Sequence, residues 1–502
     1  MTEYLSPGVY VEEKSSGAKP IEGVGTSTGA FVGIAEKGPI GEAKQIANWT
    51  QFVNTFGAYI ANGYLAYAVY QFFSEGGTRC FVVRTCHYTD ITDPVKKTAL
   101  ASSGTMNDDA DAASIKAMAV WEGTWGDKIS VEAKDATDTT LTNGFKLVVK
   151  YGGVEKESFD NLTMDTIEDA IDNISAYIKV DKQGLNPNPP KKATPLTLAS
   201  GNDGLSDISE TDFEGDGKAL NGLHAFDVVD DINIVLMPDM SGNRDAIIKG
   251  MTYCQNRKDC FFIADPPKSL DPTAIKSFKE GTGTYKGNAF NSSYGALYYP
   301  WVIVSDPLNP KKKKYVPPSG AIAGSYAHTD SVRGVHKAPA GISDGYLDSV
   351  SDIERIITKS EHDGLNPVGI NVIRSFPTSG IVIWGARTLS ADPEWKYINI
   401  RRLFLFLEES IDKGTQWLVF EPNSPALWGS VIRNITAFLL RVWRDGALFG
   451  STPEEAFYVK VDAENNPPEV RDAGQLIIEV GVAPVKPAEF VIIRIQQKTL
   501  SK

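Results

Sequence analysis

The stretch CFFIADPP, Cys260 to Pro267, decides the fold class of this chain. It is apolar for five residues without alternation and then ends in an aspartate and two prolines. A run that is apolar on both faces and stops at such a turn is typical of a strand in a parallel sheet covered by helices on both sides. The stretches INIVLMP from Ile232 and WVIVSDP from Trp301 have the same form. Residues 223–370 are therefore predicted to form an α/β domain.

A similar pattern lies nearer the N-terminus. GAFVGIA from Gly29 and CFVVRT from Cys80 are predicted as buried strands, and two amphipathic helical patterns lie between them. The connections are short, as in other αβ units. We predict residues 23–87 to be the N-terminal part of the folded core.

Residues 88–222 differ in composition from both flanking regions. Tyr88 to Ala119 are rich in Asp, Ala, Ser and Thr, which indicates a linker or a domain boundary. KISVEAK and FKLVVKYGGVEKESF follow, and they alternate apolar and polar residues as antiparallel strands with one solvated face do. A helix is predicted over Met164 to Ile178. The segment 88–222 is thus predicted to be an inserted β-rich domain.

The clearest helical patterns lie in residues 371–482. One is WKYINIRRLFLFLEESIDKG from Trp395, and the other follows Ser424 as N-cap, with Pro425 at the first helical position and Gly446 as the stop. The second helix has an apolar stripe that predicts packing against a core. Its members are Trp428, Val431, Ile432, Ile435, Phe438, Leu439 and Val442.

Both ends of the chain are predicted to be extended arms, over residues 1–22 and 483–502. YLSPGVYVEE from Tyr4 and AEFVIIRIQQK from Ala488 each have the composition of a β-strand, but no partner strand follows or precedes them nearby. The strand residues are Val9, Tyr10, Val11 and Glu12 in the first arm, and Phe490, Val491, Ile492, Ile493 and Ile495 in the second.

Composition excludes several classes of protein. The chain has 502 residues, is 42% hydrophobic and carries a formal net charge of −13, so it can bury several cores but has no surplus of cations for nucleic acid. No secretory signal precedes Gly8 and no apolar run reaches the length of a membrane span. We expect synthesis in the cytoplasm, with no direct membrane insertion. The four cysteines are predicted to be buried free thiols, since their spacing does not fit zinc.

Catalytic motifs are weak throughout. GISDG, around Ser343, matches the nucleophile-elbow pattern but lacks the preceding apolar strand. DFEGDG, from Asp212, starts like a calcium loop, but its twelfth position is Leu223 instead of a glutamate, which favours a solvated acidic turn. Lys311 to Lys314 are predicted to form an exposed loop tip. The five histidines are not placed in a known catalytic motif, so we predict no catalytic, cofactor or metal site.

Many separate blocks, in order along the chain, resemble the tail sheath protein family of contractile phage tails and contractile injection systems. They include PGVYVEE, PIEGVGTSTGAFVG, AVYQFFSEGGTRCFVVR, SSYGALYYPWV, VPPSGAIAG, GINVIR, YINIRRLFLFLEESI, QWLVFEPN and PAEFV. The resemblance implies a mixed α/β fold: a subtilisin-like α/β domain, a C-terminal α+β sheath domain, an inserted β-sandwich and extended terminal strand arms. Ser319 lies where a subtilisin-type nucleophile would, but no HGT motif precedes it.

The resemblance also implies a function. Sheath subunits form stacked six-fold rings around an inner tube, and their terminal arms add strands to the sheets of neighbouring subunits. The expected partners are further copies of the chain, an inner tube protein, and baseplate and terminator or cap proteins, in a phage tail or tail-like particle. Arg433, Arg441 and Arg444 are candidates to face the tube. An α/β hydrolase or peptidase with an inserted β-domain, dependent on Ser343 or Ser319, is the alternative.

Overall fold

The structure is a computed structural model that describes residues 20–184, 186–192 and 195–494. Contacts divide these residues into two compact units. The larger unit comprises residues 26–333 and 338–401, and the smaller unit comprises residues 20–25, 334–337 and 402–494. This division differs from the six predicted segments, which stay a prediction.

Strands and helices alternate through most of the chain. The strands are β1 Gly29–Gly33, β2 Lys44–Ile46, β3 Cys80–Arg84, β4 Ser103–Asn107, β5 Ala113–Ala119, β6 Ile129–Asp135, β7 Phe145–Tyr151, β8 Val154–Leu162, β9 Ile178–Lys182, β10 Leu196–Thr197, β11 Ile234–Leu236, β12 Phe261–Ala264, β13 Gly295–Tyr299, β14 Val302–Ser305, β15 Lys313–Val316, β16 Asp352–Ile353, β17 Ile370–Phe376, β18 Gly380–Ile383, β19 Phe457–Lys460 and β20 Glu479–Val482. The helices are α1 Trp49–Phe56, α2 Leu65–Ser74, α3 Ile167–Ile171, α4 Glu210–Glu214, α5 Arg244–Arg257, α6 Pro272–Glu280, α7 Ser319–Arg333, α8 Lys359–Leu365, α9 Ile398–Thr415, α10 Pro425–Arg444, α11 Pro453–Ala456 and α12 Pro468–Asp472.

The larger unit is built on an eight-stranded sheet in the order β18-β17-β13-β12-β11-β1-β3-β2. The six inner strands are parallel, and β18 and β2 are antiparallel to their neighbours. Both faces are covered, because Phe261 contacts Tyr326 of α7 while the next residue, Phe262, packs closely on Gly250 of α5. The prediction of a parallel α/β sheet from the runs at β11 and β12 is confirmed.

The third run that predicted a parallel strand, WVIVSDP, was misassigned. Its strand β14 lies in a separate antiparallel sheet with β15 and β16, and the parallel strand is β13, directly before it. Pro300 separates the two strands, because proline has no N–H to donate to a ladder.

The inserted region forms a β-sandwich. One sheet has the order β4-β5-β9 and the other β10-β6-β7-β8, and the two sheets share one apolar core. Residues 88–119 were predicted to be a linker or a domain boundary; the linker alternative is wrong for the part that forms β4 and β5, where the small side chains of Ala117 and Ala119 are buried. The predicted helix over residues 164–178 is shorter, ending at Ile171. The buried guanidinium of Arg84 donates to the carbonyl groups of Gly38 and Glu122, which ties the sandwich to the sheet.

Two buried aspartates lie at the carboxyl edge of the parallel sheet. Asp265, after β12, accepts a hydrogen bond from the backbone N–H of Ser319 at the start of α7. Asp239, after β11, accepts from the backbone N–H groups of Ile34 and Tyr64, the latter at the start of α2. Burial raises the pKa of Asp265 to about 7 and that of Asp239 to about 6, although the N–H donors act in the opposite direction.

We expect the free energy of unfolding to fall as the pH rises from about 5 to about 8, because a carboxyl group with a raised folded-state pKa favours folding only while it is protonated. In Asp265→Asn the amide oxygen still accepts from Ser319, so this variant should lose less stability over the same range. Urea unfolding at the two pH values measures the difference. The exposed Asp109→Asn is the control, and a wild-type-like pH dependence in Asp265→Asn would contradict the assignment.

Candidate subunit interface

The smaller unit is organised around α10. The Ser424 hydroxyl caps the helix by accepting from Leu427 N–H, and Pro425 occupies the first turn, as predicted. The predicted apolar stripe is buried except for Ile432, which is partly buried and packs against the same core. These side chains form one apolar core with residues of α9 and β19.

A two-stranded antiparallel sheet, β19 with β20, packs beside α10. Its register pairs Phe457 with Val482 and Lys460 with Glu479. After β20 the chain is held by backbone hydrogen bonds between residues 447–449 and 483–485. Among the described residues this sheet has no third strand, and each of its strands therefore has an outer edge. Such an edge is a template for a further strand.

The predicted C-terminal arm leaves the sheet as an extended exposed segment. Phe490 is 71% exposed, and Val491, Ile492 and Ile493 are each 79% exposed. Of the predicted strand at 488–498, the structure describes residues 488–494, and these form no strand. Ile495 and the predicted N-terminal strand residues, Val9, Tyr10, Val11 and Glu12, lie outside the described residues. The predicted strand GQLIIEVGV is shorter, beginning at Glu479.

Further apolar side chains are exposed on the smaller unit. Phe420 is fully exposed in a left-handed backbone conformation after Val419, and Phe449, Tyr458 and Ile477 are also exposed. Single exposed apolar residues are ordinary, but this number together with the C-terminal arm is typical of a surface that another protein covers.

The three predicted tube-facing arginines lie on one side of α10. At about 100° per residue they fall within an arc of about 80°, and all three are exposed. Arg433 donates to the Ser430 hydroxyl, and Arg441 donates to the carbonyl of Ile21. Their role towards a tube stays a prediction.

Ile21 corrects the boundary predicted for the N-terminal arm. It is 1% exposed and belongs to the core of the smaller unit, although the predicted arm extends to residue 22. Gly414 of α9 lies against it, and Gly23 lies against Phe406 of the same helix. A single isoleucine within a polar spacer gives no periodic signal, so the sequence did not reveal this anchor.

The serines of the hydrolase alternative lie in unsuitable places. Ser319 is 0% exposed at the first residue of α7, where a substrate cannot reach its hydroxyl. Ser343 is exposed in a turn closed by the hydrogen bond from Gly345 N–H to the Gly341 carbonyl. A nucleophile elbow requires a strand directly before the serine, and the turn has none.

The acidic turn at Asp212 is structural. Asp212 is buried, not solvated as predicted, and it accepts hydrogen bonds from the N–H groups of Ser209 and Tyr88. Its carboxylate also lies 3.1 Å from Nδ1 of His87. In a second pair of this kind, Nδ1 of His224 lies 2.8 Å from a carboxylate oxygen of Asp227, which is three residues further along the chain. All four cysteines are free and buried, as predicted.

Two family models match adjacent parts of the chain. The model for the phage tail sheath protein central domain matches residues 215–389, and that for the phage tail sheath C-terminal domain matches residues 390–498. Together the two matches cover more than half of the chain.

Two curated relatives are tail sheath proteins of phages. That of Vibrio phage KVP40 is 27% identical over 252 residues, which cover 47% of this chain and 36% of the relative. That of Enterobacteria phage T4 is 27% identical over 248 residues, covering 47% of this chain and 37% of the relative. The matched part thus spans little more than a third of the length of these relatives.

A solved structure matches nearly the full length of the chain. It is the PVC sheath complex of an extracellular contractile injection system in the contracted state, with a TM-score of 0.60, 22% identity and 99% coverage of each chain. The mixed α/β fold is therefore that of sheath structures, while the subtilisin-like assignment of the central domain stays a prediction. Among the described residues, no helix is long and apolar enough to cross a membrane.

We expect Ile21→Ala to lower the free energy of unfolding by about 2–5 kcal/mol, because it leaves a cavity in a packed core. Ile21→Val should cost only about 0.5–1.5 kcal/mol. Urea unfolding followed by tryptophan fluorescence measures both. Ile477→Ala, on a half-exposed residue of the same unit, is the control, and an equal loss in the control and in Ile21→Ala would contradict the anchoring role.

Proposed function

We propose that this chain, which belongs to the phage tail sheath protein family, is the subunit of a contractile sheath that polymerises as stacked hexameric rings around an inner tube. The observation that carries the proposal is the exposed apolar C-terminal arm, which belongs to the same unit as a two-stranded sheet with open edges. Each copy then offers both a strand and a site for a strand. Contacts of this type between copies continue along an axis and produce a filament.

The chemistry of the arm supports strand addition. Phe490 to Ile493 are apolar in succession, so both faces of a strand formed there would be buried after docking. Main-chain hydrogen bonds supply the affinity in such contacts, and side-chain pockets supply the selectivity. Val9 to Glu12, with alternating strand-forming residues, are proposed as the second arm. Ile21 anchors the chain that follows them in the smaller unit.

The arms also suit a sheath that contracts. A strand that stays paired while its spacer changes direction keeps neighbouring subunits linked as they move between two packings. The extended sheath is the less stable state in this proposal, held by the tube and the baseplate, and release allows subunits to reach the better packed state. No nucleotide is required, and the tube is driven through the target membrane.

The proposed partners follow from this role. They are further copies of the chain, the inner tube protein, and the baseplate and terminator or cap proteins of a phage tail or tail-like particle made in the bacterial cytoplasm. Arg433, Arg441 and Arg444 are proposed to face the tube, since they share the solvent side of α10. A structural role without catalysis is favoured by the family and by the positions of Ser319 and Ser343.

Arm variants test the proposal. We expect Phe490→Ser/Ile492→Ser to reduce tube formation by more than about tenfold, because two apolar side chains worth about 1.5–3 kcal/mol each would no longer be buried between copies. Deleting residues 1–13 should abolish tubes and leave folded subunits. Electron microscopy and sedimentation measure assembly. The control is Val95→Ser/Ile174→Ser, which changes two exposed residues of the inserted region. Wild-type-like assembly of the arm variants would contradict the proposal.

Serine variants test the hydrolase alternative. Ser343→Ala and Ser319→Ala should leave assembly and contraction unchanged, because neither serine is placed as a nucleophile. Sheath lengths before and after triggering, measured by microscopy, provide the readout. If Ser343→Ala particles assemble normally but lose their activity on target cells, the enzyme alternative gains support.

A further inference from the structure

A β-hairpin that contains four consecutive lysines, Lys311 to Lys314, projects from the carboxyl edge of the parallel sheet and is called the lysine hairpin below. It is formed by β14 and β15, paired from Val302–Val316 to Ser305–Lys313, with residues 306–312 at its tip. The hairpin begins directly after β13, and Trp301 donates its indole N–H to the carbonyl of Pro266, which follows β12. Its position at this edge is therefore fixed by the sheet itself.

The tip of the hairpin is held in one conformation by hydrogen bonds. Asp306 N–H donates to the Lys312 carbonyl, and the Asp306 carboxylate accepts from Leu308 N–H at 3.0 Å and from the Tyr67 hydroxyl at 3.3 Å. Lys312 N–H donates to the Asn309 carbonyl. These hydrogen bonds hold a protruding turn with Leu308 half-exposed at its end.

The lysines of this hairpin have different environments. Lys314 is half-buried: its ammonium donates to the Ala61 carbonyl and lies over the ring of Tyr67. Lys313 lies 3.4 Å from Asp352. Lys311 and Lys312 are exposed, and no carboxylate of the described residues forms an ion pair with either. Lys311 and Lys312 therefore present two uncompensated positive charges on one turn of a chain with a net charge of −13.

A mixed but mainly acidic cavity of about 470 Å³ lies along α5 towards the opposite edge of the same sheet. Its carboxylates are Glu214, Asp227, Asp230 and Asp259, and its permanent cations are Lys249 and Arg257. Lys249 pairs with Glu214 and Arg257 with Asp259, so the cations are already neutralised. Asp230 is exposed and has no ion pair among the described residues.

The surrounding segment adds to the negative charge. Residues 203–231 contain nine carboxylates and one lysine, Lys218. Asp230 and Asp231 lie shortly before β11, separated from it by Ile232 and Asn233, and Asp259 lies two residues before β12. Because β11, β12 and β13 are parallel, these acidic residues mark the amino edge of the sheet, whereas the lysine hairpin follows its carboxyl edge.

We propose that the lysine hairpin of one copy docks into the acidic cavity of a second copy. The inference rests on the proposed sheath function and deepens it by naming two complementary surfaces. A positive and a negative surface at opposite ends of one sheet make a head-to-tail contact, which does not close on itself and continues as a filament. The second copy is favoured because the complementary charge is present in this same chain.

The proposed contact also reduces the electrostatic repulsion between copies of the chain. Copies with a net charge of −13 repel one another, and at physiological ionic strength that repulsion is screened only beyond about 8 Å. Lys311 and Lys312 bring positive charge to within this distance of Asp230. Leu308 at the tip adds apolar area that is covered on docking.

Cross-linking within assembled full-length chains tests the geometry. A chain with Lys311→Cys is mixed with a chain with Asp230→Cys, assembled into tubes, and treated with a short bis-maleimide, to which the four buried native cysteines are inaccessible. We expect a covalent dimer in several-fold greater yield than from a mixture of Lys156→Cys with Asp230→Cys, since Lys156 is exposed on the inserted sandwich. Equal yields from the two mixtures would overturn the inference.

Charge reversal tests the energetics. Lys312→Glu should raise the protein concentration needed for half-maximal assembly more than the matched Lys156→Glu, and Lys312→Glu/Asp230→Lys should restore it towards the wild-type value. If Lys312→Glu behaves like its control while wild-type tubes form, the inference fails and the proposed function stands. If the wild-type chain forms no tubes, both fail. Binding of heparin or anionic vesicles that Lys312→Glu abolishes, with assembly unchanged, would reassign the hairpin to another polyanion and overturn the inference.

Discussion

Burial of both faces of the parallel sheet is the constraint on which the larger unit depends. The inner strands carry apolar side chains towards α5 on one face and towards α7 on the other. Charged groups of this sheet therefore reach water at its amino and carboxyl edges, where the strands begin and end. At the carboxyl edge, Asp265 accepts the N–H at the start of α7, and the lysine hairpin extends outward. At the amino edge lie Asp230 and Asp259. The polarity of the surface thus follows from the direction of the strands.

The smaller unit depends on a different requirement, that backbone hydrogen-bonding groups find partners. Among the described residues β19 and β20 pair only with each other, and residues 490–494 of the arm form no strand. In a monomer this arrangement exposes apolar and polar backbone surface to solvent and to unwanted association. In the proposed polymer the same groups would form the contacts between subunits. Stability of the unit itself is supplied by the stripe on α10 and by Ile21, which leaves the sheet edges available.

The sequence predicted those elements whose signals are local. The runs at β11 and β12, the cap at Ser424 and the stripe along α10 all depend on residues within one element, and the structure confirms them. The errors arose where a residue's environment is set by distant segments. Ile21 is buried by α9 and α10, Asp212 by residues near Tyr88, and Ala117 by a second sheet. The distant partners of these residues, such as Tyr88 for Asp212, lie outside any short window of sequence around them.

At the candidate interface, too, some features can be predicted from local sequence and others require the fold. The two strand arms stay a prediction, made because a strand without a neighbouring strand is visible in the sequence; of their residues, Phe490 to Ile493 are described and are exposed. The lysine run was visible too, but its meaning required the topology. The direction of the parallel strands places Asp230 and Lys312 at opposite edges of one sheet, although the residues between them include the four strands β11 to β14 and the helices α5 and α6. The sequence alone shows no regular spacing of these charges, but the parallel strands place the positive charges at one edge of the sheet and the negative charges at the other. A head-to-tail assembly requires complementary charges at opposite ends of the subunit in this way.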